Sequence, residues 1–251
     1  MRVTLNGIVS SDDDVEVYNW FGMRAFGPQT VRDAIKNNPE GEELVFEINS
    51  PGGSVFAGSE MYSVVRSAVN IKTRAEIQSL AASAASYLCL GCDEVMISPV
   101  AQMMVHLPST RTEGNRNDHL ESVQMLDTTR ESILNAYELK AHGKANRAEF
   151  RRLMNASTFL TAQQAVELGL ADGILYQDDP DPTTVMNAAG AGIRALGESG
   201  GIMDIAAMRA EYRKAHQGDP GGEGNPGEAP KDDKGDWRVK ARLDLEKIRM
   251  I

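Results

Sequence analysis

The first half of the chain alternates β-branched segments with segments of helical periodicity, and this order limits the fold more than any other feature. RVTLNGIV (2–9) and ELVFEINS (43–50) read as strands, and GPQTVRDAIKNN (27–38) between them reads as a helix. Further segments continue the order: a helix in SVFAGSEMYSVVRSAV, a strand in KTRAEIQS, a helix of small residues, and strands in EVMIS and AQMMVHL. Such alternation predicts an α/β fold with a largely parallel sheet covered by helices.

The composition changes near Tyr176. Residues 1–176 carry the patterned segments, whereas residues 177–251 are rich in Gly, Pro and acidic residues. The 251 residues are enough for one sizeable domain with an appendage. We therefore predict one domain over 1–176 and a largely disordered, flexible tail over 177–251, in which two short helical segments begin at Ile202 and Trp237.

Charge and hydropathy exclude several kinds of partner. The net charge of −10 is opposite to the basic surface that binding to nucleic acid requires. No apolar run approaches the roughly 18 residues of a membrane span, and Asp12–Asp14 interrupt the N-terminus before it can resemble a secretory signal. Cys89 and Cys92 lack a second ligand pair, so we expect buried thiols and no metal. The expected location is the cytoplasm.

A long helix is predicted from Asn117 to about His142, with Gly143 marking its end. The polar loop STRTEGNRND precedes it. A helix of this length can project beyond the core and bury one face against another subunit; the alternative is that it covers its own sheet.

The segment INSPGGSVFAG (48–58) ends a strand in Pro51, Gly52 and Gly53 and then begins a helix. Consecutive glycines allow a backbone to approach a ligand closely and leave N–H groups available to an oxyanion or a peptide strand. The alternative is an ordinary strand-to-helix turn. A phosphate-binding loop is disfavoured because the G-x-x-x-x-G-K-[ST] pattern is missing.

Three serines lie in QSLAASAASYLCLG (78–91), where a strand is predicted to become a helix around Leu80. Ser83 is best placed for chemistry, since the unpaired N–H groups of a helix N-terminus favour developing negative charge. Ser79 is expected in or near the strand. Ser86 is expected deeper in the helix, with its hydroxyl bonded back to a carbonyl. The alternative is that all three serines only permit close packing.

His106 ends the apolar strand of MMVHLP. A serine is a poor nucleophile unless a base takes its proton, and among the four histidines only His106 is predicted at a sheet edge that could meet Ser83. The alternative is a structural histidine held by hydrogen bonds.

These segments, together with FLTAQQAVELGLADGI, resemble the proteolytic subunit of the Clp proteases, a serine peptidase family, in order and approximate spacing. The likeness covers Arg2 to Leu175 and is greater to the shorter Clp-like proteases of phages and prophages. It implies a Clp/crotonase-like fold of stacked ββα units with a protruding handle helix.

The resemblance also implies roles for individual residues. Ser83 matches the nucleophile, His106 the base, and the N–H groups of Gly53 and Ala84 the oxyanion hole, while the strand at Gly52 and Gly53 would pair with substrate. The family's third residue, an acid, falls on Ser157, and Asn155 is the nearest carboxyl-like side chain. Without a charge there, activity would be weak or would depend on an acid from elsewhere, such as Asp172.

The function that the resemblance implies is a serine endopeptidase that needs no cofactor and assembles into stacked heptameric rings. For the phage type, the implied substrates are capsid or scaffolding proteins during head maturation, in the host cytoplasm or the procapsid, and an ATPase partner is not required. One alternative is an inactive ring or assembly component; another, weaker one is an acyl-CoA hydratase or isomerase of the crotonase superfamily, which shares the fold.

Overall fold

A computed structural model describes residues 1–176 and 204–216 of the protein. Within these residues the chain forms one sheet of eight strands: β1 Arg2–Val9, β2 Ala25–Phe26, β3 Leu44–Gly53, β4 Thr73–Ala82, β5 Glu94–Ile97, β6 Gln102–Val105, β7 Thr158–Thr161 and β8 Gly173–Ile174. The helices are α1 Asp12–Trp20, α2 Pro28–Asn37, α3 Val55–Arg66, α4 Ala84–Leu88, α5 Arg116–Ala141, α6 Arg147–Asn155, α7 Ala162–Glu167 and α8 Ile205–His216. A 3₁₀ turn, Cys89–Gly91, follows α4.

The sheet is parallel along the path β2-β1-β3-β4-β5-β8, which confirms the predicted α/β class. Strand β4 is long enough to pair with two partners: its first half pairs with β5 and its last residues with β6. Strand β7 then runs antiparallel to β6. Because parallel strands end at the same edge of a sheet, the carboxyl ends of β3, β4 and β6 come together.

The core lies between the sheet and the helices of the domain. It is filled by large apolar side chains that are almost wholly removed from solvent, among them Leu5, Phe46, Ile48, Met61, Ile77, Leu88, Met103, Tyr137 and Phe150. Burial of such side chains stabilises the fold by about 1.5–3 kcal/mol each. Cys89 and Cys92 are free, buried thiols within this core, as the sequence predicted.

Local signals set the ends of the helices. Ser54 accepts a hydrogen bond from the Ala57 N–H at the start of α3, and Asn115 and Asp118 form a capping box at the start of α5. Helix α5 ends at Ala141, after which His142 adopts a left-handed conformation. The long helix predicted from Asn117 is therefore confirmed, with bounds shifted by one residue at each end.

Two local predictions need correction. The helix predicted from about Leu80 begins only at Ala84, because the end of β4 pairs with β6 through Ala82. Helix α1 was not expected from the sequence. Three aspartates occupy its first turn, where the helix dipole favours negative charge, and this signal could have indicated it.

Helix α8 packs against α1. Met208 is 1% exposed and lies in a small apolar cluster with Val17 and Tyr18, and the Arg209 guanidinium forms an ion pair with the Asp14 carboxylate. The helical segment predicted from Ile202 is thus present over Ile205–His216 and contacts α1. The predicted helix from Trp237 and most of the predicted flexible tail lie outside the described residues.

In the part of the chain that the structure describes, every helix is either too short or too polar to span a bilayer.

Candidate active site

Ser83 stands at a sharp turn between β4 and α4. Its φ of 52° and ψ of −123° lie in a region that residues with a side chain rarely adopt. The Ser83 N–H donates to the Met104 carbonyl at 2.8 Å, so strand β6 helps to hold this conformation. The turn leaves Ser83 partly exposed, although the residues on both sides of it are buried. A similar strained strand-to-helix turn presents the nucleophile in the α/β-hydrolases.

His106 directly follows β6 and reaches the Ser83 side chain. Its Nε2 lies 2.7 Å from the Ser83 Oγ, within hydrogen-bond distance. The imidazole is half-buried, and this burial lowers the pKa of His106 below its ordinary value. A lowered pKa favours the neutral imidazole at neutral pH, which is the form that can accept the hydroxyl proton.

Gly52 and Gly53 are positions where the backbone requires glycine. Both have positive φ, 92° and 150°. A Cβ on Gly52 would lie 2.6 Å from the Ala82 carbonyl oxygen and 2.6 Å from the Ser83 Cβ, and one on Gly53 would lie 2.1 Å from the Val9 carbonyl oxygen. The glycine segment that ends β3 is therefore packed directly against the serine turn.

Ala84 is the first residue of helix α4, and its N–H lies next to the glycine segment. The position of a Cβ on Gly52 is 2.9 Å from the Ala84 nitrogen, which shows how closely the two backbones approach. As the first residue of α4, Ala84 carries one of the N–H groups that have no partner within the helix. The predicted residues Gly52, Gly53, Ser83, Ala84 and His106 thus meet at one edge of the sheet.

The predicted third position of the site, Ser157, lacks a contact of this kind with His106. In the β6–β7 ladder Val105 lies opposite Thr158, which is the last pair; His106 and Ser157 are the next residues of the two segments. Ser157 is exposed and has a φ of 49°, and Asn155 is an exposed residue at the end of α6. Among the described residues, the imidazole makes its hydrogen bond to Ser83 and none to Ser157 or Asn155.

Asp172 is not an alternative acid, and this expectation was wrong. Its carboxylate accepts hydrogen bonds from the Val95 N–H at 2.7 Å and from the Lys140 ammonium at 2.6 Å. Val95 pairs with Ala75, seven residues before Ala82 along β4, and at about 3.3 Å per residue this is roughly 20 Å from the serine turn. Asp172 instead joins α5 to the opposite end of the sheet.

The two other serines of the small-residue segment lie where the sequence placed them. Ser79 is exposed within β4, and the Ser86 hydroxyl donates back to the Ser83 carbonyl at 2.6 Å. Tyr137, whose hydroxyl lies 2.6 Å from the Ser86 Oγ, was not among the predicted site residues. In the sequence it is one of the apolar residues that recur along the long helix, a pattern that indicates only a core residue.

Fold and site together define an α/β protein with a serine–histidine pair at a strand-to-helix turn, an arrangement found in serine hydrolases. Residues 34–178 match the Clp protease family. The ATP-dependent Clp protease proteolytic subunit 1 of Chlamydia abortus is 32% identical over 159 residues, which are 59% of this chain and 81% of that protein. The ATP-dependent Clp protease proteolytic subunit of Ligilactobacillus salivarius is 31% identical over 137 residues, 53% of this chain and 68% of that protein. The chain belongs to the Clp protease family.

Proposed function

We infer that the protein is a serine endopeptidase with Ser83 as nucleophile and His106 as general base. The observation that carries this proposal is the 2.7 Å approach of His106 Nε2 to Ser83 Oγ at a strained turn. A hydroxyl activated by a neutral imidazole in this way is the requirement for acyl-enzyme chemistry. Membership in the Clp protease family favours a peptidase over the acyl-CoA hydratase or isomerase alternative.

In the proposed mechanism, Ser83 Oγ attacks the scissile carbonyl carbon while its proton passes to His106 Nε2. The carbonyl π electrons move to oxygen, and the oxyanion accepts hydrogen bonds from the Gly53 and Ala84 N–H groups. His106 then gives the proton to the leaving amine as the C–N bond breaks. Water, deprotonated by His106, attacks the acyl carbon; the C–Oγ bond breaks, His106 returns the proton to Ser83 Oγ, and the new carboxyl terminus is released.

Recognition of the substrate through its main chain fits the glycine segment at the end of β3. Gly53 is exposed, and neither Gly52 nor Gly53 has a side chain that would block an extended peptide. A peptide that adds to a strand edge is held by main-chain hydrogen bonds, which tolerate many side chains. Cleavage is therefore proposed to be broad in sequence specificity.

Assembly into rings is proposed from the resemblance and from the surface of α5. Leu120, Val123 and Leu139 on this helix are all more than 45% exposed, so its apolar stripe is only partly covered by its own subunit. A second copy of the chain would cover this stripe. Stacked heptameric rings, as the family resemblance implies, would enclose the sites and limit cleavage to chains that can enter.

For the substrate we propose capsid or scaffolding proteins of a phage or prophage, cut during head maturation in the host cytoplasm or procapsid without an ATPase. This rests on the likeness to the shorter Clp-like proteases. The test is cleavage of purified scaffolding protein without ATP, with the Ser83→Ala protein as control. A requirement for ATP and an unfoldase would instead assign the protein to the ATP-dependent mode that the relatives' names describe.

The chemistry itself is tested by fluorophosphonate labelling and peptide mapping of the assembled protein, with Ser83→Ala and His106→Ala alongside. Labelling at Ser83 that is lost in both variants supports the endopeptidase. No labelling of the folded wild-type protein would overturn it. That result would favour the second candidate, an inactive ring or assembly component, for which the specific observation is the uncharged Ser157 at the position where the resemblance places an acid.

A further inference from the structure

The peptide unit between Ser83 and Ala84 carries two groups with opposite tasks. Its N–H, on Ala84, is the proposed oxyanion donor, and its carbonyl, on Ser83, points the other way because the unit is a planar trans peptide. The Ser83 carbonyl accepts two hydrogen bonds from Ser86, one from the N–H at 2.9 Å and one from the hydroxyl at 2.6 Å. Whatever fixes this carbonyl also fixes the direction of the Ala84 N–H.

The hydroxyl of Ser86 is in turn held by α5. Tyr137 Oη lies 2.6 Å from Ser86 Oγ, and both residues are buried, at 1% and 0% exposure. A serine hydroxyl has one proton, and that proton is donated to the Ser83 carbonyl, so Tyr137 must be the donor to Ser86. The result is a directed chain of hydrogen bonds from Tyr137 to Ser86 to the Ser83 carbonyl.

We propose that Ser86 and Tyr137 are positioning residues that aim the Ala84 N–H at the oxyanion and strengthen it as a donor. The inference rests on the proposed function, because it gives Ala84 the oxyanion role. Two arguments support it. The strained φ of Ser83 must be maintained by surrounding contacts, and these bonds act on that residue's own carbonyl. A carbonyl that accepts strong hydrogen bonds also polarises its peptide, which makes the N–H of the same unit a better donor.

The placement also explains why a tyrosine is needed in the stripe of α5. The ring packs in the core against Phe150, with the ring centroids 5.5 Å apart, and this contact would be retained by a phenylalanine. The hydroxyl adds nothing to that packing and reaches only toward Ser86. A buried hydroxyl without a hydrogen-bond partner destabilises the fold, so the Tyr137 hydroxyl requires the Ser86 Oγ as its partner.

The experiment measures the rate of fluorophosphonate labelling at Ser83 in Ser86→Ala, Tyr137→Phe and the double variant. Phosphonylation places an oxygen in the oxyanion hole, so the maximal labelling rate reports on the Ala84 donor without knowledge of the natural substrate. We expect that rate to fall about tenfold in Ser86→Ala and about threefold in Tyr137→Phe, with unchanged half-saturating probe concentration. In the double variant the rate should match that of Ser86→Ala alone, because Tyr137 acts through Ser86.

Tyr87→Phe is the matched control. Tyr87 also has a buried hydroxyl, which donates to the Val55 carbonyl at 2.8 Å, but it is not in the chain that reaches Ser83. Its loss should lower thermal stability about as much as Tyr137→Phe does, while the maximal labelling rate stays within about twofold of wild type. The pH midpoint of labelling should stay unchanged in every variant, since none of them touches His106.

The outcomes separate this inference from the proposed function. If wild-type protein is not labelled, the endopeptidase proposal fails first. If wild-type protein is labelled and Ser86→Ala and Tyr137→Phe label at the wild-type rate, the positioning role is overturned and the endopeptidase remains. Equal loss of rate in Tyr87→Phe and Tyr137→Phe would also overturn it, because it would show a general response to lost core hydrogen bonds.

Discussion

The two nitrogens of the His106 imidazole differ in the hydrogen-bond partners that the described residues give them. On the Nε2 side, Ser83 is held in a strained conformation, packed against Gly52 and bonded through its own N–H to β6. At the predicted third position, which we call the Nδ1 side, stands the exposed Ser157; it directly precedes the last pair of the β6–β7 ladder and makes no hydrogen bond to the ring. The side that faces the proposed nucleophile has the contact that proton removal needs, whereas the proposed third position carries no charge.

This difference separates two contributions to catalysis that a full triad combines. Proton removal from Ser83 needs only Nε2 and a neutral ring, and burial already favours the neutral ring by lowering the pKa of His106. An acid at Nδ1 would fix the tautomer and stabilise the imidazolium that forms in the transition state. We therefore expect an enzyme that cleaves its substrate slowly, and we expect the missing charge at position 157 to be the cause of the low rate.

The largest effect is expected from Gly52→Ala on the Nε2 side. The new Cβ would lie 2.6 Å from both the Ala82 carbonyl oxygen and the Ser83 Cβ, so the serine turn must shift. A displaced nucleophile and oxyanion donor should lower Ser83 labelling by about 100-fold or more. The measurement is the labelling rate of folded, assembled protein.

Gly41→Ala is the control for this variant. Gly41 has a comparable positive φ of 77°, but a Cβ there meets no atom within 4 Å. The control carries a similar backbone strain without the collision and should label at a rate within about twofold of wild type. Equal losses in the two variants would mean that strain, and not contact with the serine turn, decides the outcome.

The next effect is a gain, expected from Ser157→Asp on the Nδ1 side. Position 157 directly precedes the last pair of the β6–β7 ladder, so we expect a carboxylate there to reach His106, the residue that follows β6. Aspartate tolerates the left-handed φ of 49° better than most residues. We expect the labelling rate to rise about 10- to 100-fold because the base becomes oriented and its charged form stabilised. Ser157→Asn, which has the same shape without the charge, should gain much less. No gain from aspartate would show that the ladder does not continue to His106.

The sequence predicted the Nε2 side well because that side depends on local rules. A strand that ends in glycines, a serine at a strand-to-helix junction and a histidine at the end of a strand can each be located by periodicity and turn residues. Their meeting follows from the parallel sheet, whose strands end at one edge. Only the start of α4 was misplaced, because pairing of β4 with β6 extends the strand beyond the reach of local propensity.

The remaining features depend on contacts between distant segments, which periodicity does not report. The approach of the segment before Thr158 to the end of β6 requires the antiparallel β6–β7 pairing, and the Tyr137–Ser86 bond joins residues 51 positions apart. The placement of Asp172 against Lys140, far from His106, is of the same kind. Burial of Met208 against α1 likewise joins the tail to the N-terminal region.

The pH dependence of wild-type labelling reports the pKa of His106. The labelling rate falls as His106 becomes protonated, so the midpoint of the acid limb equals the pKa of His106 in the folded protein. Burial lowers that pKa, and within residues 1–176 and 204–216 no carboxylate raises it, so the midpoint should lie below the ordinary histidine value of about 6.5. In Ser157→Asp the midpoint should move upward, since a nearby negative charge favours the imidazolium. A wild-type midpoint above 6.5 would reveal an acid that reaches His106 in the assembled protein.

The smallest effect is expected from Ser157→Ala and, beside it, Asn155→Ala. Both side chains are exposed and neither forms a hydrogen bond with His106, so their removal leaves every contact of the Ser83–His106 pair in place. The labelling rate and its pH midpoint should stay within about twofold and about 0.2 pH units of wild type, as is usual for exposed positions without a structural role. A tenfold loss in Ser157→Ala alone would mean that the serine hydroxyl orients the imidazole during the reaction. Ser157 would then fill the third position without a charge. The gain in labelling rate from Ser157→Asp would measure the effect of adding the negative charge alone.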